Sequence, residues 1–173
     1  MEEKKITSHL IKGLIIGLIL IVISIVAQFT GLKRDSAPIQ ILSTCILIGG
    51  LIWSCWYYGK QKDGFVTFGN VFGHGFKTTA VAAVIVIVFM IIFFLAFPEY
   101  KDEAMEEGRR KMEEQGKMSD EQIEQAISIG KRFFLPIAIG SILFFYALIG
   151  AVSSLIGAAI TKKKPVTPFD SQA

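Results

Sequence analysis

The sequence predicts an all-α integral membrane protein, with four transmembrane helices and a helical hairpin between the third and the fourth. Three observations predict it. Apolar residues are 52% of the 173-residue chain, and mean hydropathy is +0.53. The apolar excess falls in four runs, each long enough to supply the ~20 residues that cross a bilayer core. The main polar segment, residues 98–132, carries helix caps and charge pairs at helical spacing. What remains is too short to bury a core of its own. The chain therefore reads as a single membrane domain over residues 1–173.

Span 1 covers residues 10–29 (LIKGLIIGLILIVISIVAQF), with one charge, Lys12, at its edge. Lys4 and Lys5 precede it, as basic residues precede a secretory signal. The apolar stretch exceeds the roughly 7–15 residues of such a signal and no A-x-A site follows, so an uncleaved helix is expected. Span 2 covers residues 39–58 (IQILSTCILIGGLIWSCWYY). It ends in Trp53, Trp56, Tyr57 and Tyr58, then Gly59-Lys60, an aromatic belt followed by a cation. Cys45 and Cys55 share this span. Helical rise holds them about 15 Å apart, beyond disulfide reach, so both read as small packing residues.

Span 3, residues 78–97, follows the stretch FVTFGNVFGHGFKTT. That stretch approaches a phosphate loop, yet Phe76 separates Gly75 from Lys77, and the loop needs Gly-Lys-Ser/Thr in succession. Gly73-x-Gly75-x-x-Thr78 lacks the third glycine of a dinucleotide fingerprint. Helical period fits better. Phe65, Phe68, Phe72 and Phe76 share one face, and Gly69 and Gly73 lie one turn apart beside it. Asp63-Gly64 signals a turn and Thr67 an N-cap. The expectation is an interfacial helix over residues 68–77 that enters the membrane near Thr78. Its interfacial and packing residues are Phe68, Gly69, Phe72, Gly73, His74, Phe76 and Lys77. The phenylalanines face lipid or span 2, the glycines admit a close neighbour, and His74 and Lys77 sit at headgroup depth, where lysine snorkels.

Residues 98–132 predict an extramembrane helical hairpin. Pro98 suits a first helical position, and Glu99, Asp102 and Glu103 fall where the helix dipole favours anions. Glu106–Arg110 and Glu107–Lys111 are pairs one turn apart. Gly116 suits a helix end, and Ser119-x-x-Gln122 reads as a capping box for a second helix. Met105 and Met112 are placed to face Ile123 and Ile127. Such a hairpin rises about 20–25 Å, with its arms continuing spans 3 and 4. Its ten acidic residues form no calcium-loop signature and read as a solvated face. Span 4, residues 133–160, carries Pro136 near its start, where a kink is expected.

Small residues recur one turn apart at Gly13 and Gly17, at Gly50 and Ser54, at Gly150, Ser154 and Ala158, and at Ser153 and Gly157. Span 3 offers Ala80, Ala82 and Ala83. In lipid such seams let helix backbones approach closely, which predicts a compact four-helix bundle, with homo-oligomer contact as a second use.

Chemistry is sparse. Intramembrane ionisable residues mark relays and catalytic sites, and the span cores hold only Ser24, Ser43, Thr44, Ser54, Ser141, Tyr146, Ser153 and Ser154 as polar groups. A serine nucleophile needs a His or Lys base, while His9 and His74 lie near the interfaces, at the wrong depth. Zinc needs at least three protein ligands, and no such set is spaced for it. No catalytic residue, cofactor or metal is expected, and the chain is not expected to be an enzyme. The net charge of +3 suits basic membrane edges and gives no reason to expect nucleic acid.

The element Thr67, Phe68, Gly69, Phe72, Phe76 and Lys77, four short spans and a charged helical loop before span 4 together resemble a bacterial family. It is domain-of-unknown-function family four-one-nine-nine, small inner-membrane proteins. The resemblance covers nearly the whole chain. It implies four helices and a bacterial inner membrane, and it carries over no catalytic residues.

Lys and Arg divide nine against nine between the two sides of a four-span topology. The first span breaks the tie, with three cations before it (Lys4, Lys5, Lys12) and two after (Lys33, Arg34), since basic flanks stay inside. Both termini are expected in the cytoplasm and the hairpin outside. The leading functional expectation is a non-catalytic scaffold or accessory subunit with an extracytoplasmic docking hairpin. The alternative is a small oligomeric transporter or channel with a Ser/Thr-lined path. The expected partners are the lipid bilayer and either a second copy or another membrane protein.

Overall fold

Caps and turns set where each helix starts and stops. The computed structural model describes residues 7–29 and 37–164. Six helices lie among them: α1 (His9–Phe29), α2 (Ala37–Gln61), α3 (Phe68–Ala96), α4 (Glu99–Gln115), α5 (Asp120–Arg132) and α6 (Phe134–Ile160). α1, α2, α3 and α6 are long and apolar enough to cross a membrane. Lys4, Lys5, Lys33 and Arg34, used above to orient the chain, lie outside the described residues.

The chain divides into two compact units, one of residues up to Val86 and from Phe144 onward, the other Ile87–Leu143. In the first unit the small-residue seams are the helix contacts. A methyl group added at Gly13 would meet Val81 Cβ at 2.6 Å, and one at Gly17 would meet Ile85 at 3.1 Å, so α1 lies backbone-close to α3. Gly50 admits Ile16 of α1, Gly157 admits Cys55 of α2, and Gly150 admits Thr79 of α3. Close approach is how helices associate in lipid, where burial of apolar surface gives no drive. Ile16, Leu20, Leu47, Leu51 and Ala82 form the apolar centre, flanked by Tyr146 and Ile149. A second centre, Cys55, Val66, Val71 and Ala158, packs with Tyr58 and Phe72. Cys45 is exposed and Cys55 buried, so only the latter is a packing residue in this unit.

The outer faces stay apolar. Leu14, Leu18, Val22, Val84, Phe144, Leu148 and Val152 are all exposed, Phe144 at 65%. Continuous apolar surface on every long helix is the surface of a protein solvated by lipid tails.

The element over residues 68–77, expected as the start of the third membrane helix, is continuous with it: α3 runs unbroken from Phe68 to Ala96. Val71, His74 and Thr78 are buried by their neighbours. The Thr78 and Thr79 hydroxyls donate to His74 O at 2.8 Å and Gly75 O at 3.0 Å, so both polar groups are satisfied inside one straight helix. Thr67 caps α3 by accepting from Asn70 N at 3.2 Å, as its position predicted. The Asp63-Gly64 turn is left-handed at both residues, with φ of 52° and 86°. Gly64 O accepts from Lys164 N at 2.8 Å, which ties this turn to the segment following α6.

In the second unit, α4 and α5 pair as the predicted hairpin. Gly116 ends α4 in the left-handed region at φ 60°, and its N–H donates to Glu113 O. The Ser119 capping box is complete: Gln122 N donates to Ser119 Oγ at 3.4 Å and Ser119 N to Gln122 Oε1 at 3.0 Å. Ile123 is buried, and Met105 Sδ stands 3.3 Å from where a Gly130 methyl would be. Lys111 pairs with Glu107 as expected, whereas Arg110 turns forward to Glu114 at 3.6 Å instead of back to Glu106. Arg109 also reaches forward to Glu113, 3.0 Å away, and that hydrogen bond holds its guanidinium above the usual arginine range. Pro98 precedes α4 with helical angles, one position before the first assigned helical residue. Phe93 joins the end of α3 to the hairpin, with ring centres 5.3 Å from Phe97 and 5.2 Å from Tyr100. Phe133 separates α5 from α6, three residues before Pro136. Pro136 has no N–H to return to Arg132, so the ladder stops there and a new helix starts.

Candidate functional site

The start of α1, the end of α2 and the start of α3 meet at one end of the first unit. Lys12, in the first turn of α1, is the largest buried polar side chain there, at 1% exposure. Its ammonium lies 3.4 Å from Gln61 Oε1, 3.3 Å from Ser54 O and 3.2 Å from His74 Nε2. It also stands over the Tyr57 ring at 4.9 Å, a cation–π distance. An ammonium has no lone pair, so with Lys12 charged the His74 Nε2 is the acceptor and its ring is neutral. Gln61 completes the tie by donating to Thr7 Oγ1 at 3.0 Å. None of these partners is a carboxylate.

His74 is held by ring contacts. Tyr58 stacks on it at 4.2 Å between centroids and 12° between planes. His9 meets it edge-on at 6.1 Å. These rings form one wall of a cavity of about 330 Å³, lined by Thr7, Ser8, His9, Tyr58, Gly69, Asn70, Gly73, His74 and Lys77. The first turns of α1 and α3 both contribute to its wall. Helix starts present unpaired N–H groups and the positive end of the dipole.

The sequence-predicted element is therefore split by the structure. His74, Lys77, Gly69 and Gly73 line the cavity. Gly69 and Gly73 were expected to admit a neighbouring helix, and that is corrected: nothing lies within 4 Å of a methyl group at either. The close approach is made by Gly75 instead, against Cys55 Sγ and Ser154 Oγ. His74 was placed at headgroup depth and is 8% exposed, covered by Tyr58 and Lys12. Phe68 and Phe76 are exposed, and Phe72 is half-buried against the Cys55 cluster and stacked on Phe76. The aromatic belt of α2 also divides. Trp53 and Trp56 face outward, Trp56 beneath Lys60 at 5.2 Å, while Tyr57 and Tyr58 turn in to Lys12 and His74.

Sequence reasoning missed Lys12, which it left at a span edge, and with it His9, Tyr58, Gln61 and Asn70 as members of one site. A signal was present. The chain has two histidines, in His9-Leu-Ile-Lys12 and His74-Gly-Phe-Lys77, each three residues before a lysine and each opening an odd-numbered span. Odd-numbered spans enter from the same side, so the two elements share a depth.

A buried seam runs beside this site. Ser54 Oγ and Thr78 Oγ1 are 3.3 Å apart, while the buried Ser153 and Ser154 hydroxyls have no hydrogen-bond partner among the described residues. Among the described residues, no group of three or more His, Cys, Asp or Glu is placed to hold a metal ion.

A protein family described as Protein of unknown function (DUF4199) matches residues 12–163. That span runs from the buried Lys12 to the end of the bundle and includes every residue of the Thr67–Lys77 element. No curated protein and no solved structure matches the chain.

Proposed function

We propose that this chain, which belongs to the family of unknown function matched over residues 12–163, is a non-catalytic accessory or scaffold subunit in a membrane, with the α4–α5 hairpin as its docking surface. One observation carries the reading. The hairpin lies within the compact unit Ile87–Leu143, has its own caps, ion pairs and buried Ile123, and presents charged side chains outward. Residues 99–132 hold ten acids and seven bases, a mixed surface of the kind that docks a partner with specific charge pairing. The membrane is the bacterial inner membrane, with both termini cytoplasmic and the hairpin outside. The chain's partners in this reading are the bilayer and either a second copy or another membrane protein, with no nucleic acid and no cofactor.

Replacing residues 99–131 by a short Gly/Ser linker should abolish in-cell crosslinking to partner proteins while the bundle still purifies in detergent. Undiminished crosslinking would count against the hairpin. Impermeant thiol labelling of a cysteine placed at Lys117, in the loop between α4 and α5, tests the orientation: labelling in intact cells is expected, and labelling only after lysis reverses it.

The second reading, a small oligomeric transporter or channel, has the Ser54, Thr78, Ser153 and Ser154 seam in its favour. Its Ser/Thr path would need a route between subunits, since Gly75 and Gly157 bring the helices into contact along the seam. Solute flux into vesicles carrying the purified protein is its test.

A further inference from the structure

We propose that the cavity between the starts of α1 and α3 binds a phosphate anion, as a phospholipid headgroup or a free phosphate, through Lys77, His9, His74 and Asn70. Charge is the first argument. The wall carries the ammonium of Lys77, the imidazoles of His9 and His74, and the neutral donors Thr7, Ser8, Asn70 and Tyr58, and among the described residues no acid lines it. The positive dipole ends of two helix starts lie beside it, a setting that suits an anion.

The second argument is independent of the cavity wall. Lys12 is buried directly behind His74, and its partners among the described residues are neutral: a backbone carbonyl, an amide, an imidazole and an aromatic face. Buried charges in folded proteins are normally paired, and an ion left without a counter-charge is costly. His74 separates Lys12 from the cavity, touching one and lining the other. An anion in the cavity supplies the missing countercharge through that ring.

The third argument is shape. Gly69 and Gly73 face open space, so the floor of the cavity is formed by bare α3 backbone. A side chain at either position would fill part of it. At about 330 Å³ the space is at the small end of ligand pockets, enough for a headgroup-sized anion. The surroundings place it at a membrane surface. Trp53 and Trp56 are exposed, and Phe68 and Phe65 lie under Lys163 and Lys164 at 5.6 and 5.1 Å. The proposal does not depend on the hairpin, so it stands or falls separately from the docking reading.

The full chain in detergent should be stabilised by short-chain phosphatidylglycerol and not by short-chain phosphatidylcholine, whose choline cancels the phosphate charge. Lys77→Gln and His9→Gln, both at accessible positions, should each weaken that binding about tenfold, while Lys62→Gln, outside the cavity, should leave it unchanged. Competition by inorganic phosphate assigns the site to free phosphate, and lipid binding without such competition assigns it to the headgroup; both support an anion site. If neither phosphatidylglycerol nor phosphate shifts the melting temperature, the proposal is wrong. It is equally overturned if the two lipids bind alike and Lys77→Gln and His9→Gln make no difference. Lys77→Arg, which keeps the charge, should restore most of the binding.

Discussion

Lys12 Nζ lies 3.2 Å from His74 Nε2, with both side chains buried and, among the described residues, no carboxylate partner for either. A cation one turn inside an apolar span is ordinarily drawn back to the interface along its own stem. Here α2 and α3 close over it, and Tyr57, Gln61 and Ser54 O replace its water.

That replacement predicts the behaviour of Lys12 variants. Lys12→Met keeps the stem and removes a charge with no counter-ion. Swapping buried ionic groups for apolar ones of similar volume is often neutral or stabilising by about 1–4 kcal/mol, so thermal denaturation in detergent should show a melting temperature at or above the parent. Lys12→Ala leaves a void between three helices and should destabilise by about 2–4 kcal/mol. A large drop for Lys12→Met would show that the ammonium itself holds the helices together.

The glycines of α3 make opposite predictions two residues apart. A methyl group at Gly75 falls 2.5 Å from Cys55 Sγ and 2.6 Å from Ser154 Oγ, so Gly75→Ala should destabilise the bundle by about 1–3 kcal/mol. A methyl group at Gly73 meets nothing, so Gly73→Ala should be neutral or stabilising by up to about 1 kcal/mol through helix propensity. Melting curves of the two variants under one condition decide it.

The contrast shows what the sequence could carry. Four apolar runs located α1, α2, α3 and α6 to within a few residues at most ends, because length in a bilayer is a one-dimensional property. The Ser119 box and Gly116 were legible because caps are local hydrogen bonds. Gly69-x-x-x-Gly73 was misread because spacing places two glycines on a line without saying which line faces a neighbour. Gly75, which does face one, has no second glycine one turn along, only Thr79. The Lys12 site was hidden for the same reason. Its members come from three helices, and their meeting depends on rotation about each helix axis, which α3 does not betray when apolar residues surround it on every side.

Ser154 offers a test of the buried seam. Its hydroxyl is fully buried without a partner, and a buried polar group left unpaired costs about 1–3 kcal/mol. Ser154→Ala removes that group with almost no change in volume and should raise the melting temperature. Ser54→Ala, by contrast, removes the hydroxyl that meets Thr78 at 3.3 Å and should lower it. If Ser154→Ala proves destabilising, the hydroxyl is bonded in the membrane to something the single chain lacks, which would favour an intermolecular or solute contact at the seam.

The hairpin can be loosened without touching the bundle. In the capping box at the start of α5, Ser119 Oγ accepts from Gln122 N and Gln122 Oε1 from Ser119 N. Ser119→Ala removes one bond and unfixes the other, and loss of such a cap costs about 1 kcal/mol. Amide exchange in the first turn of α5 should quicken about fivefold, while exchange in α1 and in the first half of α3 stays at the parent rate. Partner crosslinking in cells should weaken in step, because a docking surface built on a frayed helix must be ordered at the moment of binding. Faster exchange with unchanged crosslinking would place the docking contacts on α4 or on the bundle.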